Sequence, residues 1–442
     1  MIPSWRLFSS KYCEYKMKRV SALLLLLTLT LSVYACGVPK DSNTEIIPDN
    51  SSPDEPIKPA GAFSGDFDNR FGRGYESIIE TDEAYYYCSF SGKYLYYYDK
   101  QSGISGVLCP KPECTHDEAD KQNNSCGGFV HSHAKTLFLS EGRIGFVASA
   151  RTPDYIGPAL FRMNPDGTGR ELVKALDFGE TQNLSWPQRF DLHRRKLYGY
   201  NNYEKVEEGE PILYFSIVSL DPATGEYRTI YEKTDCGMTI FPKLFYSGNY
   251  LYFTVPDAGP RMNTETLEIY RWDIGKEELE KLFSSGEEGM PGSFFDLWVE
   301  NGCIYTSPGI PEAQNPAVYL ISDGELQKVF GFDEDGAVYL IDGGAVCVTY
   351  PGFDLIAADM DGNTLRRIDR DLSFLEDVDY VVDPSRCSVG GIYGDTSELF
   401  VVYKGLKFEH GDGSKTSGTC LVRYDLTEEA PTAQLLAVSP WD

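Results

Sequence analysis

Tyr94-Leu95-Tyr96-Tyr97-Tyr98-Asp99-Lys100-Gln101-Ser102-Gly103 is an aromatic strand running into a glycine-closed turn, and the phrase returns along the chain. It comes back as Leu160-Phe161-Arg162-Met163-Asn164-Pro165-Asp166-Gly167, as Ile217-Val218-Ser219-Leu220-Asp221-Pro222-Ala223-Thr224-Gly225 and as Ile269-Tyr270-Arg271-Trp272-Asp273-Ile274-Gly275. Three further copies read Val318-Tyr319-Leu320-Ile321-Ser322-Asp323-Gly324, Leu355-Ile356-Ala357-Ala358-Asp359-Met360-Asp361-Gly362 and Cys420-Leu421-Val422-Arg423-Tyr424-Asp425-Leu426. Aromatic and β-branched residues suit a pleated surface, and Asp with Gly marks a tight hairpin. Each copy follows a strand pair such as Ser247 to Phe253 or Glu300 to Tyr305, so one unit holds about four strands in about 40 to 55 residues. An isolated four-stranded sheet of this kind cannot bury both faces, whereas a ring of them can. The fold class expected is all-β, a β-propeller over 73–442 with seven four-stranded blades, six or eight being the alternatives. Tyr75-Glu76-Ser77-Ile78-Ile79-Glu80 is a candidate outer strand for the last blade, closing the ring.

Outside the repeat, the N-terminus carries an address. Met17-Lys18-Arg19-Val20 leads into Leu23 to Leu27 and ends at Val33-Tyr34-Ala35-Cys36-Gly37. A basic start, an apolar run too short to span a bilayer and a small residue before the cut make a removable export signal over 1–35. Met17 is the expected true start. Residues 36–72 hold Pro39, Pro48, Pro53, Pro56 and Pro59 with few large apolar side chains, which predicts a disordered tether. Extended at about 3.1 Å per residue, it reaches roughly 100 Å.

The chain is acidic, with 40 Lys and Arg against 67 Asp and Glu and a formal charge of −27. Loss of residues 1–35 removes five bases and one acid and takes the charge to −31. Such a field repels phosphate backbones and anionic headgroups, so neither nucleic-acid binding nor electrostatic docking on a membrane is expected.

One insertion breaks the rhythm at 108–128, with Cys109, Cys114, His116 and Cys126 in the spacing Cys-x4-Cys-x-His-x9-Cys. Three thiolates and an imidazole are a tetrahedral set for a structural zinc, whose ligand atoms converge to about 3.5–4 Å of one another. The competing reading is a disulfide among Cys88, Cys109, Cys114 and Cys126, since an exported protein leaves the reducing cytosol. Cys236, Cys303, Cys347, Cys387 and Cys420 read as small buried hydrophobes. His131 and His133 alternate near the end of the loop and read as surface residues, His193 as part of a solvated turn, and His410 as a loop residue. Asp359 to Asn363 and Asp333 to Gly336 read as hairpin turns with glycine at positive φ rather than calcium loops. No nucleophile elbow, phosphate loop or His-Glu-x-x-His helix is present in the sequence.

Val33-Tyr34-Ala35-Cys36 resembles the lipobox of bacterial lipoproteins, although Tyr34 stands where that motif has a smaller residue. The resemblance implies that Cys36 is acylated and holds the protein at the outer face of the cytoplasmic membrane, with the lipid as its only membrane contact. The repeat resembles TolB-like and YWTD-like β-propellers, and Leu108-Cys109-Pro110-Lys111-Pro112-Glu113-Cys114-Thr115-His116 resembles an element of lipoprotein propellers of Gram-positive anaerobes, with no activity implied. The expected role is binding of a protein or carbohydrate ligand by a non-catalytic monomer. The alternative is a surface hydrolase acting on carbohydrate through acids at the propeller funnel.

Overall fold

The computed structural model describes residues 66–440 except 73–76, 90–91, 115, 117–125, 131–135, 153–154, 177, 179–188, 258–265, 286–295, 308–315, 377, 379–386 and 410–412. Cys36, His131, His133 and His410 lie outside the described residues. Among the described residues, twenty-eight strands, β1 to β28 in chain order, form seven four-stranded antiparallel sheets, each from four consecutive strands. The protein is a seven-bladed β-propeller. The innermost strands are β1 (Ser77–Glu80), β5 (Thr136–Ser140), β9 (Arg189–His193), β13 (Leu244–Ser247), β17 (Asp296–Glu300), β21 (Gly336–Ile341) and β25 (Ser388–Gly394). Among the described residues no helix is long and apolar enough to cross a membrane.

The seven copies of the sequence phrase are the third strands of the seven blades with the turns that follow. In five blades the strand ends on an aspartate that holds the turn. Asp99 Oδ1 accepts the Gln101 and Ser102 amides, Asp221 those of Ala223 and Thr224, and Asp273 those of Gly275 and Lys276; Asp359 accepts those of Asp361 and Asn363, and Asp425 that of Thr427. An Asp that bonds backbone N–H groups two or three residues on imposes the turn, which is why the motif recurs. In blades 2 to 7 the register between third and fourth strands slips by a bulge. Bulges raise the local twist, and this turns each outer strand away from the ring axis. Turns between first and second strands are equally tight; Asn301 (φ 50°) and Gly302 (φ 79°) take the left-handed pair of a type I′ hairpin.

Neighbouring blades share apolar clusters, and inner strands are also stitched by side-chain oxygens. Ser77 Oγ accepts the Leu137 amide at 2.7 Å, Thr136 Oγ1 the Phe190 amide at 2.8 Å, and Asp296 Oδ2 the Leu340 amide at 2.8 Å.

Up-and-down order puts the first-to-second and third-to-fourth turns at one end of the ring, the turn end. The second-to-third hairpins and the links between blades lie at the other, the hairpin end. Two hairpins there run long. In blade 3, β10 (Lys196–Glu207) and β11 (Glu210–Leu220) pair throughout, whereas β9 accompanies β10 only to Tyr200. Beyond it Tyr203 and Tyr214 stack at 5.2 Å under Lys205, and Val206 at the tip is 72% exposed. Blade 7 carries the other, β26 (Glu398–Glu409) against β27 (Lys415–Asp425).

Three expectations change. Residues 77–80 are not the outer strand of the last blade but the inner strand β1, paired with β2 (Ala84–Cys88), because Ile78 and Ile79 are apolar enough to sit on both buried faces. Every blade is thus built from its own stretch of chain, and blades 1 and 7 meet through side chains: Tyr85 packs edge-on to Phe400 at 5.1 Å, its hydroxyl donates to Glu398 at 3.2 Å, and Tyr87 bonds Thr419 at 3.2 Å. His193 is fully buried at the end of β9 rather than solvated. Gly336 begins β21 and does not close a hairpin, whereas Gly362 does, at φ 85°.

The tether boundary also moves. Asp66–Gly72 is packed, with Asn69–Phe71 forming one 3-10 turn and with Phe67, Asn69 and Phe71 buried. Burying each phenylalanine contributes about 1.5–3 kcal/mol.

Candidate metal centre

Blade 1 ends with β4 (Ser105–Val107), and the chain then turns back on itself. Leu108 donates to Leu95 O at 2.7 Å and Cys109 to Val107 O at 2.8 Å; Cys114 donates to Lys111 O at 3.1 Å, closing a turn over Pro112-Glu113. Pro110 and Pro112 restrict φ on either side of Lys111. The chain comes back at Cys126, where Leu95 donates to Gly128 O at 2.8 Å and Val130 to Lys93 O at 2.7 Å. Close approach demands glycine here. A Cβ on Gly127 would stand 2.7 Å from Gly167 O of blade 2, and one on Gly128 would stand 2.6 Å from Leu108 O.

This local folding brings together the four residues singled out by their spacing. The donor atoms of Cys109, Cys114, His116 and Cys126 all lie within 4.8 Å of one another. That span is somewhat wider than the roughly 3.5–4 Å of a closed tetrahedral site, so an ion would draw the donors inward. His116 takes a left-handed backbone, φ 51°, and its ring meets Tyr94 edge-on at 5.9 Å. Its Nε2 is buried without a hydrogen-bond partner, a cost that a metal or proton acceptor would remove. The described cysteines are not joined by disulfides. Cys88 points to the other face of its sheet, packs with Ile79, Leu95 and Leu137, and donates to Ser89 O at 3.6 Å. Cys236, Cys347, Cys387 and Cys420 are buried as expected, and Cys303 is partly exposed.

The electrostatics suit a cation. Burial pushes the Cys109 thiol up, but hydrogen bonds from His116, from the Lys111 and Gly127 amides and from Cys126 outweigh it and bring the thiol down to about 6. Burial raises Cys126 to about 12, helped by its hydrogen bond to Cys109 and by the negative charge there. Cys109 is therefore the thiol that gives up its proton most readily, while Cys126 keeps its own and donates to it.

A residue that the spacing does not reveal completes the site. Arg170, at the start of the outer strand of blade 2, donates to Gly127 O at 3.3 Å and to Phe129 O, and its guanidinium lies over Phe161 at 5.1 Å and Phe146 at 5.4 Å. Burial lowers it to about 10, while the Cys126 sulfur acts to raise it. Nothing local in Gly169-Arg170-Glu171 signals this role; only the ring brings it beside a loop some forty residues earlier.

At the turn end, Asp68, Glu80 and Asp395 also converge. They do so on Arg70, at 2.7, 3.3 and 3.3 Å, with Lys100 on Glu80 at 2.7 Å.

Fold and site together define a seven-bladed β-propeller with a Cys3His cluster at the seam of blades 1 and 2. No protein-family model and no curated protein matches the chain. Solved structures that resemble it include an uncomplexed acylaminoacyl peptidase from Pyrococcus horikoshii, 15% identical with a TM-score of 0.42 over 81% of this chain and 52% of that one. This chain thus spans about half the length of that peptidase. The β-propeller domain of the Trilobed protease from Pyrococcus furiosus is 14% identical, TM-score 0.34, over 70% of this chain and 94% of that domain. A 6-phosphogluconolactonase-like structure from Bacteroides uniformis is 10% identical, TM-score 0.40, over 78% and 94%. Likeness at this level carries nothing about chemistry.

Proposed function

We propose that the chain is an exported, monomeric, non-catalytic binding protein, lipid-anchored through Cys36, that takes its partner at the hairpin end of the propeller and carries one structural zinc. The observation that carries the binding role is the β10–β11 hairpin, which runs on past its inner strand and projects an exposed tip at Val206, with Lys205 beside it, from a base braced by the buried Tyr203–Tyr214 stack. Loops projecting from a rigid scaffold are where binding residues concentrate. Screening the purified protein against glycan and peptide collections is expected to find a ligand that binds saturably, is released unchanged, and binds more weakly to Lys205→Ala and Val206→Asp. Turnover of any such compound overturns the reading in favour of a hydrolase.

The zinc reading rests on the donor set. Three sulfurs and one imidazole nitrogen fill a tetrahedron and leave no position open for water or substrate, so the ion holds structure and does no chemistry. Zinc bound to three thiolates keeps one net negative charge, and Arg170 stands beside the most buried of the three.

Anchoring has its own test. Cys36→Ser is expected to shift the protein from the membrane fraction to the medium, or to leave its signal uncleaved. Fully processed, membrane-bound mutant protein contradicts lipidation.

A further inference from the structure

Asp66–Gly72 crosses the mouth of the ring at the turn end and meets four blades. Asp66 Oδ1 accepts from Arg194 Nε of blade 3 at 2.7 Å. The Phe67 amide donates to His193 Nδ1 at 3.1 Å, and the Phe67 ring packs on Tyr246 at 5.0 Å. Asn69 reads the backbone of blade 4 from both sides: its Nδ2 donates to Tyr246 O at 2.6 Å and its Oδ1 accepts the Tyr246 amide at 2.9 Å. Arg70 reaches Glu80 of blade 1 and Asp395 of blade 7, each at 3.3 Å. Phe71 is fully buried, edge-on to Phe400 of blade 7 at 5.1 Å.

These are the contacts of a ligand in a site. An amide pairs with an exposed strand edge, two rings enter apolar seats, and a guanidinium sits among carboxylates. The ring also has a use for the occupant, because blades 1 and 7 share no strand and the segment touches both, from the side where it is fixed to blades 3 and 4.

We propose that the turn-end mouth is a peptide-binding site, filled in cis by Asp66–Gly72, and that its occupancy holds blades 1 and 7 together. The ligand class is a peptide of the pattern Phe-x-Asn-Arg-Phe that takes a single 3-10 turn over its Asn-Arg-Phe end.

The test uses the full chain carrying Asn69→Ala and Phe71→Ala, followed by hydrogen exchange. Protection is expected to fall by about tenfold or more at 77–88, 244–247 and 398–403, with 296–300 and 336–341 unchanged. A synthetic peptide of residues 64–73 added in trans is expected to restore it saturably, and the same peptide with both alanines is not. Should the double variant fail to fold, Asn69→Ala alone removes both bonds to Tyr246 and is read the same way. Faster exchange confined to 66–72 overturns the closing role, and a loosened seam that the peptide cannot repair overturns the site.

Discussion

Protein purified from zinc-replete culture is expected to carry about one zinc per chain, and Cys126→Ser to bring the content close to zero. Cys126 is the donor with least access to water and the one that bonds both other thiols, so its loss removes a ligand and the hydrogen bond that orders Cys109. His116→Ala leaves three thiolates and is expected to weaken zinc retention under chelator challenge rather than abolish it. Binding displaces the remaining thiol protons, so the metal is lost as pH falls, and it is lost earlier in Arg170→Met, where the charge beside Cys126 is gone. Metal content by atomic emission and exchange rates across 108–130 read these outcomes, with the propeller's circular dichroism as the control. Metal-free wild-type protein, or a disulfide mapped between Cys126 and either Cys109 or Cys114, replaces the zinc reading with the disulfide one.

Acidification from pH 6.5 to 4 is expected to cost the fold about 3 kcal/mol through His193 alone. Burial brings this imidazole from 6.5 down to about 4, against the pull of the Asp66 carboxylate and Gly248 O and with help from Arg194. Its Nδ1 accepts the Phe67 amide and its Nε2 donates to Gly248 O at 2.8 Å, so the folded protein holds the neutral ring and a proton at Nδ1 would face another N–H. The sign follows. Above pH 6.5 both states are neutral and the stability is complete; between 6.5 and 4 the unfolded chain takes up a proton that the folded one refuses, and stability is lost as pH falls. Denaturation midpoints at pH 7.5 and 4.5 are expected to differ less in His193→Gln than in the wild type. Equal differences in the two proteins would remove His193 as the cause.

Much of this fold is legible because the same local chemistry repeats. An aspartate at the end of the third strand of five blades bonds the amides of the turn that follows, so Asp99, Asp221, Asp273, Asp359 and Asp425 announce blades without knowledge of their neighbours. The Cys3His cluster is legible for a similar reason, since Cys109, Cys114, His116 and Cys126 lie within one loop. What stays hidden is whatever the ring assembles across distance. Asp66-Phe67-Asp68-Asn69-Arg70-Phe71 looks like the end of a polar tether, for its partners Tyr246, Asp395 and Phe400 lie 177 to 329 residues on. His193 looks solvated between Asp191 and three basic residues until Phe67 and Tyr246 cover it. The strand at Ser77 is ambiguous between inner and outer places because four residues carry too little pattern to choose.

The strap has a mechanical consequence. Any tension on the chain before Asp66 enters the propeller at Arg194 and His193, and passes along the segment through Asn69 and Arg70 to Phe71. Its bonds are loaded one after another, as in a zipper, and not all at once, as in a sheared sheet. Pulling therefore peels the segment from blade 3 onward, and its contacts with blades 1 and 7 at Arg70 and Phe71 are the last of it to part, before any blade itself unravels.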